Sequence, residues 1–287
     1  MRGHYPAVRC KISSVDPRAH GRYAHRGMEP SIYEYPDIFR RAHLESPGEI
    51  PAEAIFLQQV WKRHRKSLTR RILDIGCGDS PHGRLLVNDG FEVVGIDRSP
   101  TMIAAGRRKA GDLPNLRFYR RSIENFTLPE HRFDAAIFMS ETFPVIVENS
   151  RLLSHLKSVG RVLKRGGLYC IDIDRHDPAP RVPKRTMWRE RTAYAGGIVL
   201  DIREFNRPVA WYSPLHSIYE LECTINFPAG AVTTRDLIPV RYTTPATLEL
   251  AALASGMFKM VTAYCDLSLF KPLDKCRYRW TGILQRV

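Results

Sequence analysis

Asp74, Gly76, Gly78 and Asp97 are residues whose types and spacing can hold a ligand. In Asp74-Ile75-Gly76-Cys77-Gly78, which ends a run beginning Arg71-Ile72-Leu73, two glycines let the backbone turn sharply. With no Cβ in the way, that turn can come close to a bound molecule. Ser80-Pro81 then supply an N-cap and a first helical residue, so a positive helix end faces the same spot and suits a carboxylate. Asp97 closes the run Phe91–Asp97 about 20 residues after the turn, where it can accept from both ribose hydroxyls of a nucleoside. A dinucleotide fingerprint would need a small residue at position 81, and proline stands there.

The elements that must position these residues alternate. Arg71–Ile75 and Phe91–Asp97 read as buried strands, joined by a short helix that Asn88-Asp89-Gly90 closes. Ser99-Pro100 caps a helix over Thr101–Ala110, and Leu116–Arg121 and Phe133–Met139 are further strands. The helical period Leu152, Leu153, Leu156, Val159, Val162, Leu163 is expected to end at Gly166-Gly167, before a fifth strand Leu168–Ile173. Before the first strand, Ile32–Ala42 and Pro51–Arg65 read as helices. After the fifth, Thr186–Tyr194, Ile198–Phe205, His216–Phe227 and Val232–Tyr242 alternate in β-branched and aromatic residues, an antiparallel insertion. Thr244-Pro245 starts a helix through Ser255-Gly256, followed by strands Lys259–Cys265 and Tyr278–Val287.

Asp74 ahead of Gly76-x-Gly78, with Asp97 ending the second strand, resembles motifs I and II of class I S-adenosylmethionine-dependent methyltransferases. The resemblance covers Arg71 to Asp174 and implies a Rossmann-like, seven-stranded α/β sheet. An antiparallel β insertion would follow strand five, and N-terminal helices would precede strand one. The expected organisation is a basic arm over 1–30, helices over 31–70, a core of 71–179 plus 244–287, and an inserted sheet over 180–243. Relatives usually carry another glycine where Ser80 stands, and an Asp beside the adenine where Ser122 stands.

The resemblance implies S-adenosyl-L-methionine as cofactor, bound by Asp74, Gly76, Cys77, Gly78, Asp97, Arg98, Met102, Ser122, Ile123 and Met139. Tyr33, in Ser31-Ile32-Tyr33-Glu34-Tyr35-Pro36, would reach it from the N-terminal helix. Phe133–Met139 resembles motif IV, which places Ser140, Glu141 and Thr142 near the transferring methyl. An acceptor that must lose a proton needs a base, and Glu141, Asp172 and His216 are the candidates by position. The inserted sheet resembles that of small-molecule methyltransferases, where it lids the acceptor pocket or joins subunits. Trp188, Tyr194, Trp211, Tyr212, His216 and Tyr219 would enclose the acceptor. A homodimer through that sheet is the other arrangement.

Composition narrows the partners. The net charge of +14 over 287 residues raises a nucleic-acid acceptor as the alternative, yet no run of five or six basic residues forms. The same field would favour an acidic small-molecule acceptor. A non-catalytic cofactor-binding protein of the same fold is a further alternative. Six scattered cysteines without a Cys-x-x-Cys pair argue against a zinc site or a disulfide framework and fit a cytoplasmic setting. Asp172, Asp174, His176 and Asp177 could hold magnesium, but the adjacent Asp-Asn pair of catechol-methylating enzymes is missing, so no metal is expected. Without 18 consecutive apolar residues, no membrane span is expected.

Overall fold

The computed structural model describes residues 31–43, 49–65, 67–140, 142–174, 185–194, 198–208, 216–227, 230–276 and 279–287. The expected arm over 1–30 lies outside them. A 3-10 turn, Ile32–Glu34, precedes helices α1 (Pro36–His43) and α2 (Glu49–His64). Then follow β1 (Arg71–Ile75), α3 (Pro81–Asn88), β2 (Glu92–Asp97), α4 (Pro100–Ala110), β3 (Leu116–Arg120), β4 (Phe133–Phe138), α5 (Asn149–Val162) and β5 (Leu163–Asp174). Four strands come next, β6 (Arg185–Tyr194), β7 (Ile198–Pro208), β8 (His216–Phe227) and β9 (Gly230–Arg241). Helix α6 (Pro245–Ser255) leads to β10 (Phe258–Cys265) and β11 (Arg279–Arg286).

Seven strands form one sheet in the order β10-β11-β5-β4-β1-β2-β3. The pairs among β1 to β5 are parallel, and β11 enters antiparallel between β5 and β10. Strands buried on both faces read as near-continuous apolar runs, which is why β1, β2 and β4 were legible. Alternate residues serve opposite layers. Ile72 and Val93 pack with Phe56, Leu57, Val60 and Trp61 of α2. Leu73 and Ile75 pack on the other face with Leu152, Leu156 and Val159 of α5 and Leu248 and Ala252 of α6.

Two local expectations are corrected. The helix foreseen over Ile32–Ala42 is broken at Tyr35, because the residue before a proline is driven out of the helical region; Tyr35 has φ −120° and ψ 70°. Helix α5 stops at Val162 rather than at Gly166-Gly167: Leu163 is already extended, and the left-handed Gly166 (φ +74°) lies inside the following strand.

The second sheet, β6-β7-β8-β9, is antiparallel throughout. Leu200, Leu221, Cys223 and Ile225 bury themselves against Ile32 and Ile38, with Tyr33 and Phe39 alongside. Asp236 of β9 completes the joint, accepting from Ser31 Oγ at 2.6 Å and from the Ile32 amide at 3.0 Å. The N-terminal turn is thereby held by the inserted sheet. A second tie reaches the other way. Asp79, just past the glycine turn, pairs with Arg40 of α1 and at 2.7 Å with Lys109 of α4, while Lys109 also meets Asp37 at 2.5 Å.

Candidate functional site

The carboxyl ends of β1 and β2 lie side by side, in register from Arg71 with Glu92 to Ile75 with Ile96. That register brings the glycine turn against Asp97. The turn itself needs glycine. Gly76 has φ +62° and Gly78 φ +54°, and a Cβ on Gly76 would stand 2.9 Å from the Phe138 ring. A Cβ on Gly78 would meet nothing nearer than Met102 Sδ at 3.9 Å, an ordinary van der Waals contact, so it is the left-handed φ rather than crowding that calls for glycine there.

Asp97 organises the loop. Its Oδ2 accepts from the Gly78 amide at 3.0 Å and its Oδ1 from the Ser99 amide at 2.8 Å. Burial raises its pKa, while those two amides work against the rise. The Arg98 amide also acts on this carboxylate, and with about four lone-pair sites in all it keeps capacity for a further donor. Tyr33 lies close enough for its hydroxyl to feel Asp97, Arg98 and Asp236, and burial above all pushes its pKa up to about 12. The tyrosine is therefore a neutral hydrogen-bonding group at working pH.

Ser80 departs from expectation. It has φ +54°, in the left-handed region, and its side chain does not cap α3. Its hydroxyl donates instead to Asp74 Oδ2 at 2.9 Å. A left-handed serine turns its Oγ back toward the strand rather than forward along the helix, which also explains why a glycine suits this position in relatives.

Asp74 is buried and carries strain of another kind. Burial lifts its pKa to about 6, against the pull of His82 and of the Ser80 hydroxyl. Its folded value thus lies above its unfolded value, so the fold is favoured when Asp74 is protonated. That contribution is present below about pH 4 and lost as pH rises through about 6. Asp74→Asn, which keeps an acceptor for Ser80, is expected to stabilise the chain at pH 7.5 by up to about 3 kcal/mol and hardly at all at pH 4. Urea unfolding at both pH values checks this. Equal shifts at the two would refute the assignment.

The other expected cofactor residues fall as follows. Cys77 is buried, its amide donates to Ile96 O at 3.0 Å, and burial drives the thiol well above its ordinary range, so it is a packing residue. Met102 and Met139 are buried, Arg98 is exposed, and Ile123 is half-buried. Ser122 is exposed and its Oγ accepts from the Glu124 amide at 3.3 Å, an ordinary turn contact.

The three candidate bases are not gathered into one described cluster. Glu141 lies outside the described residues. His216 opens β8 opposite Arg241 of β9, and nothing of its side chain is described. Asp172 is wholly buried on β5 and pairs with Arg279 of β11 at 3.2 Å. Arg279 also meets Glu53 at 2.5 Å and Glu49 at 3.2 Å, and Glu53 in turn pairs with His82. This chain of charges was not foreseen; no local pattern announces it. Of the magnesium alternative, His176 and Asp177 lie outside the described residues, as do Trp211 and Tyr212 of the aromatic set and the side chains of Trp188, Tyr194 and Tyr219.

The sheet order, the glycine turn and the acidic end of β2 together define the class I S-adenosylmethionine-dependent methyltransferase fold. Residues 72–167 match the family model described as a methyltransferase domain. The glycine/sarcosine N-methyltransferase of Parasynechococcus marenigrum is 29% identical over 170 residues, 53% of this chain and 57% of that protein. The malonyl-[acyl-carrier protein] O-methyltransferase 1 of Ilyobacter polytropus is 33% identical over 98 residues, 33% of this chain and 36% of that protein. The chain spans about half the length, or less, of the first curated relatives it matches. Among solved structures, the sugar N-methyltransferase from a Streptoalloteichus species superposes with a TM-score of 0.68 at 18% identity, covering 98% of this chain and 99% of that one. An S-adenosylmethionine-dependent methyltransferase from Clostridium acetobutylicum gives 0.71 at 15%, covering 88% and 97%. No helix among the described residues is long and apolar enough to cross a membrane.

Proposed function

We propose that the chain transfers the methyl group of S-adenosylmethionine to a nitrogen or oxygen of a small molecule. The observation that carries this reading is Asp97 set beside the left-handed Gly78, a carboxylate with lone-pair capacity to spare held against a glycine turn. In this reading Asp97 takes the ribose hydroxyls, and the Gly76-Cys77-Gly78 backbone lies along the methionine part. Met102, Ser122 and Ile123 border the adenine, Met139 and Arg98 flank the site, and Tyr33 closes over it. When bound, the cofactor supplies a methyl group activated on a sulfonium.

What the protein adds is mainly placement, holding acceptor and methyl close and aligned, and exclusion of water. The inserted sheet, held to the N-terminal turn by Asp236, serves as lid in this reading. We assign Asp172 to the ion pair with Arg279 rather than to proton transfer, since its carboxylate is fully buried there. Glu141 and His216 keep the role of base. The glycine/sarcosine N-methyltransferase relative and the sugar N-methyltransferase neighbour support a small acceptor. Calorimetric titration with S-adenosylmethionine is expected to release heat, and titration with NAD to release none. The opposite pattern would overturn the reading.

A further inference from the structure

Arg241 ends β9, the last strand of the inserted sheet, and β9 packs on the 3-10 turn Phe143–Val145 that follows β4. Its Nη2 donates to Asn149 Oδ1 at 2.9 Å, on the first residue of α5. One arm of the planar fork is thus held between the carboxyl end of β4 and the start of α5. The other arm is not. Arg241 Nη1 is buried and has no hydrogen-bond acceptor among the described residues. Nor does any carboxylate among the described residues pair with this guanidinium, whereas the buried or half-buried Arg40, Arg65 and Arg279 each meet at least one. Two residues on, the Thr243 hydroxyl is likewise buried and unpartnered. Burial lowers the pKa of Arg241, with no opposite charge acting against it.

Arg241 is half-buried, and a buried donor left unsatisfied on its guanidinium is costly unless something completes it. The fork geometry matches two oxygens of a carboxylate or a phosphate. Strand β4 is the neighbour of β1, whose end carries the glycine turn, so an anion held here lies on the acceptor side of that turn. We propose that Arg241 anchors a carboxylate or phosphate group of the methyl acceptor, an inference that rests on the methyltransferase reading above. It makes the acceptor an anionic small molecule and Arg241 a residue that determines specificity.

Inorganic phosphate, titrated into the full chain by calorimetry, reads the anchor without the cofactor. Saturable binding is expected, weakened about 10- to 100-fold in Arg241→Gln and retained in part in Arg241→Lys. Affinity for S-adenosylmethionine should stay unchanged in both variants, and the loss of phosphate binding should exceed anything a changed unfolding temperature accounts for, which a merely structural strut between β9 and α5 would not give. Phosphate binding that is absent, or indifferent to Arg241→Gln, would overturn the inference while leaving the methyltransferase reading intact. If phosphate binding depends on Arg241 but S-adenosylmethionine does not bind, that reading fails and the anion site stands. Labelled methyl transfer to a small-molecule metabolite extract then identifies the anion's source. Labelled products that bind an anion exchanger, with KM raised and kcat little changed in Arg241→Gln, are the expected result. Labelling of neutral products, or of RNA in an Arg241-dependent way, would refute a small anionic acceptor.

Discussion

Replacing Arg279 by methionine is expected to remove about 3–5 kcal/mol of stability at neutral pH, because it strands buried carboxylates without their partner. Arg279 lies between Asp172 on β5 and Glu53 on α2, so the loss falls where α2 meets the sheet. Burial works to raise the pKa of Glu53, and hydrogen bonds and charge from His82 and Arg279 overcome it, holding the carboxyl below its usual value. Removing Arg279 takes away part of that hold. The folded pKa of Glu53 then rises, and ionisation begins to weigh against the fold. The deficit should therefore be largest near pH 8 and shrink toward pH 5, as the stranded carboxylates take up protons. Urea unfolding across that range measures it. A deficit that stays constant with pH would mean lost packing rather than lost charge balance.

Asp97→Ala is expected to weaken S-adenosylmethionine binding by about 1.5–3 kcal/mol for each charge-assisted hydrogen bond it removes. Two effects combine. The carboxylate no longer receives the ribose hydroxyls, and the Gly78 and Ser99 amides lose the acceptor that shapes the loop. Asp97→Asn separates them, since an amide oxygen can still accept from one backbone donor but carries no charge. Its affinity should fall between wild type and alanine. Calorimetry on all three proteins checks the order. An alanine variant that binds as tightly as wild type would remove Asp97 from the site.

Much of the core was legible because its signals are local. Buried parallel strands read as apolar runs, helices as a 3.6-residue period, and the turn as two glycines after an acidic residue. Ser99 behaves as its local sequence implies, accepting from the Met102 amide at 3.2 Å. Ser80 does not, since its conformation is set by the left-handed turn before it rather than by the helix after it.

Contacts between residues far apart in the chain leave no such mark. Cys265 and Cys276 looked scattered, yet with Asp266 they bring their ligand-capable atoms within 4.8 Å of one another, and Lys271 meets that Asp266 at 2.5 Å. Asp172 stood out in sequence as a carboxylate at a strand end; only the antiparallel return of β11 shows that Arg279 occupies it. Ser31 and Asp236 lie 205 positions apart, and their hydrogen bond joins the N-terminal turn to the inserted sheet. The glycine turn and the strand that ends in Asp97 were determined by short-range spacing, because backbone conformation and burial follow the nearest residues. Which charges are paired, and which guanidinium is left with an unmet donor, depends on chain crossings that local pattern does not encode, so the tertiary structure alone decided it.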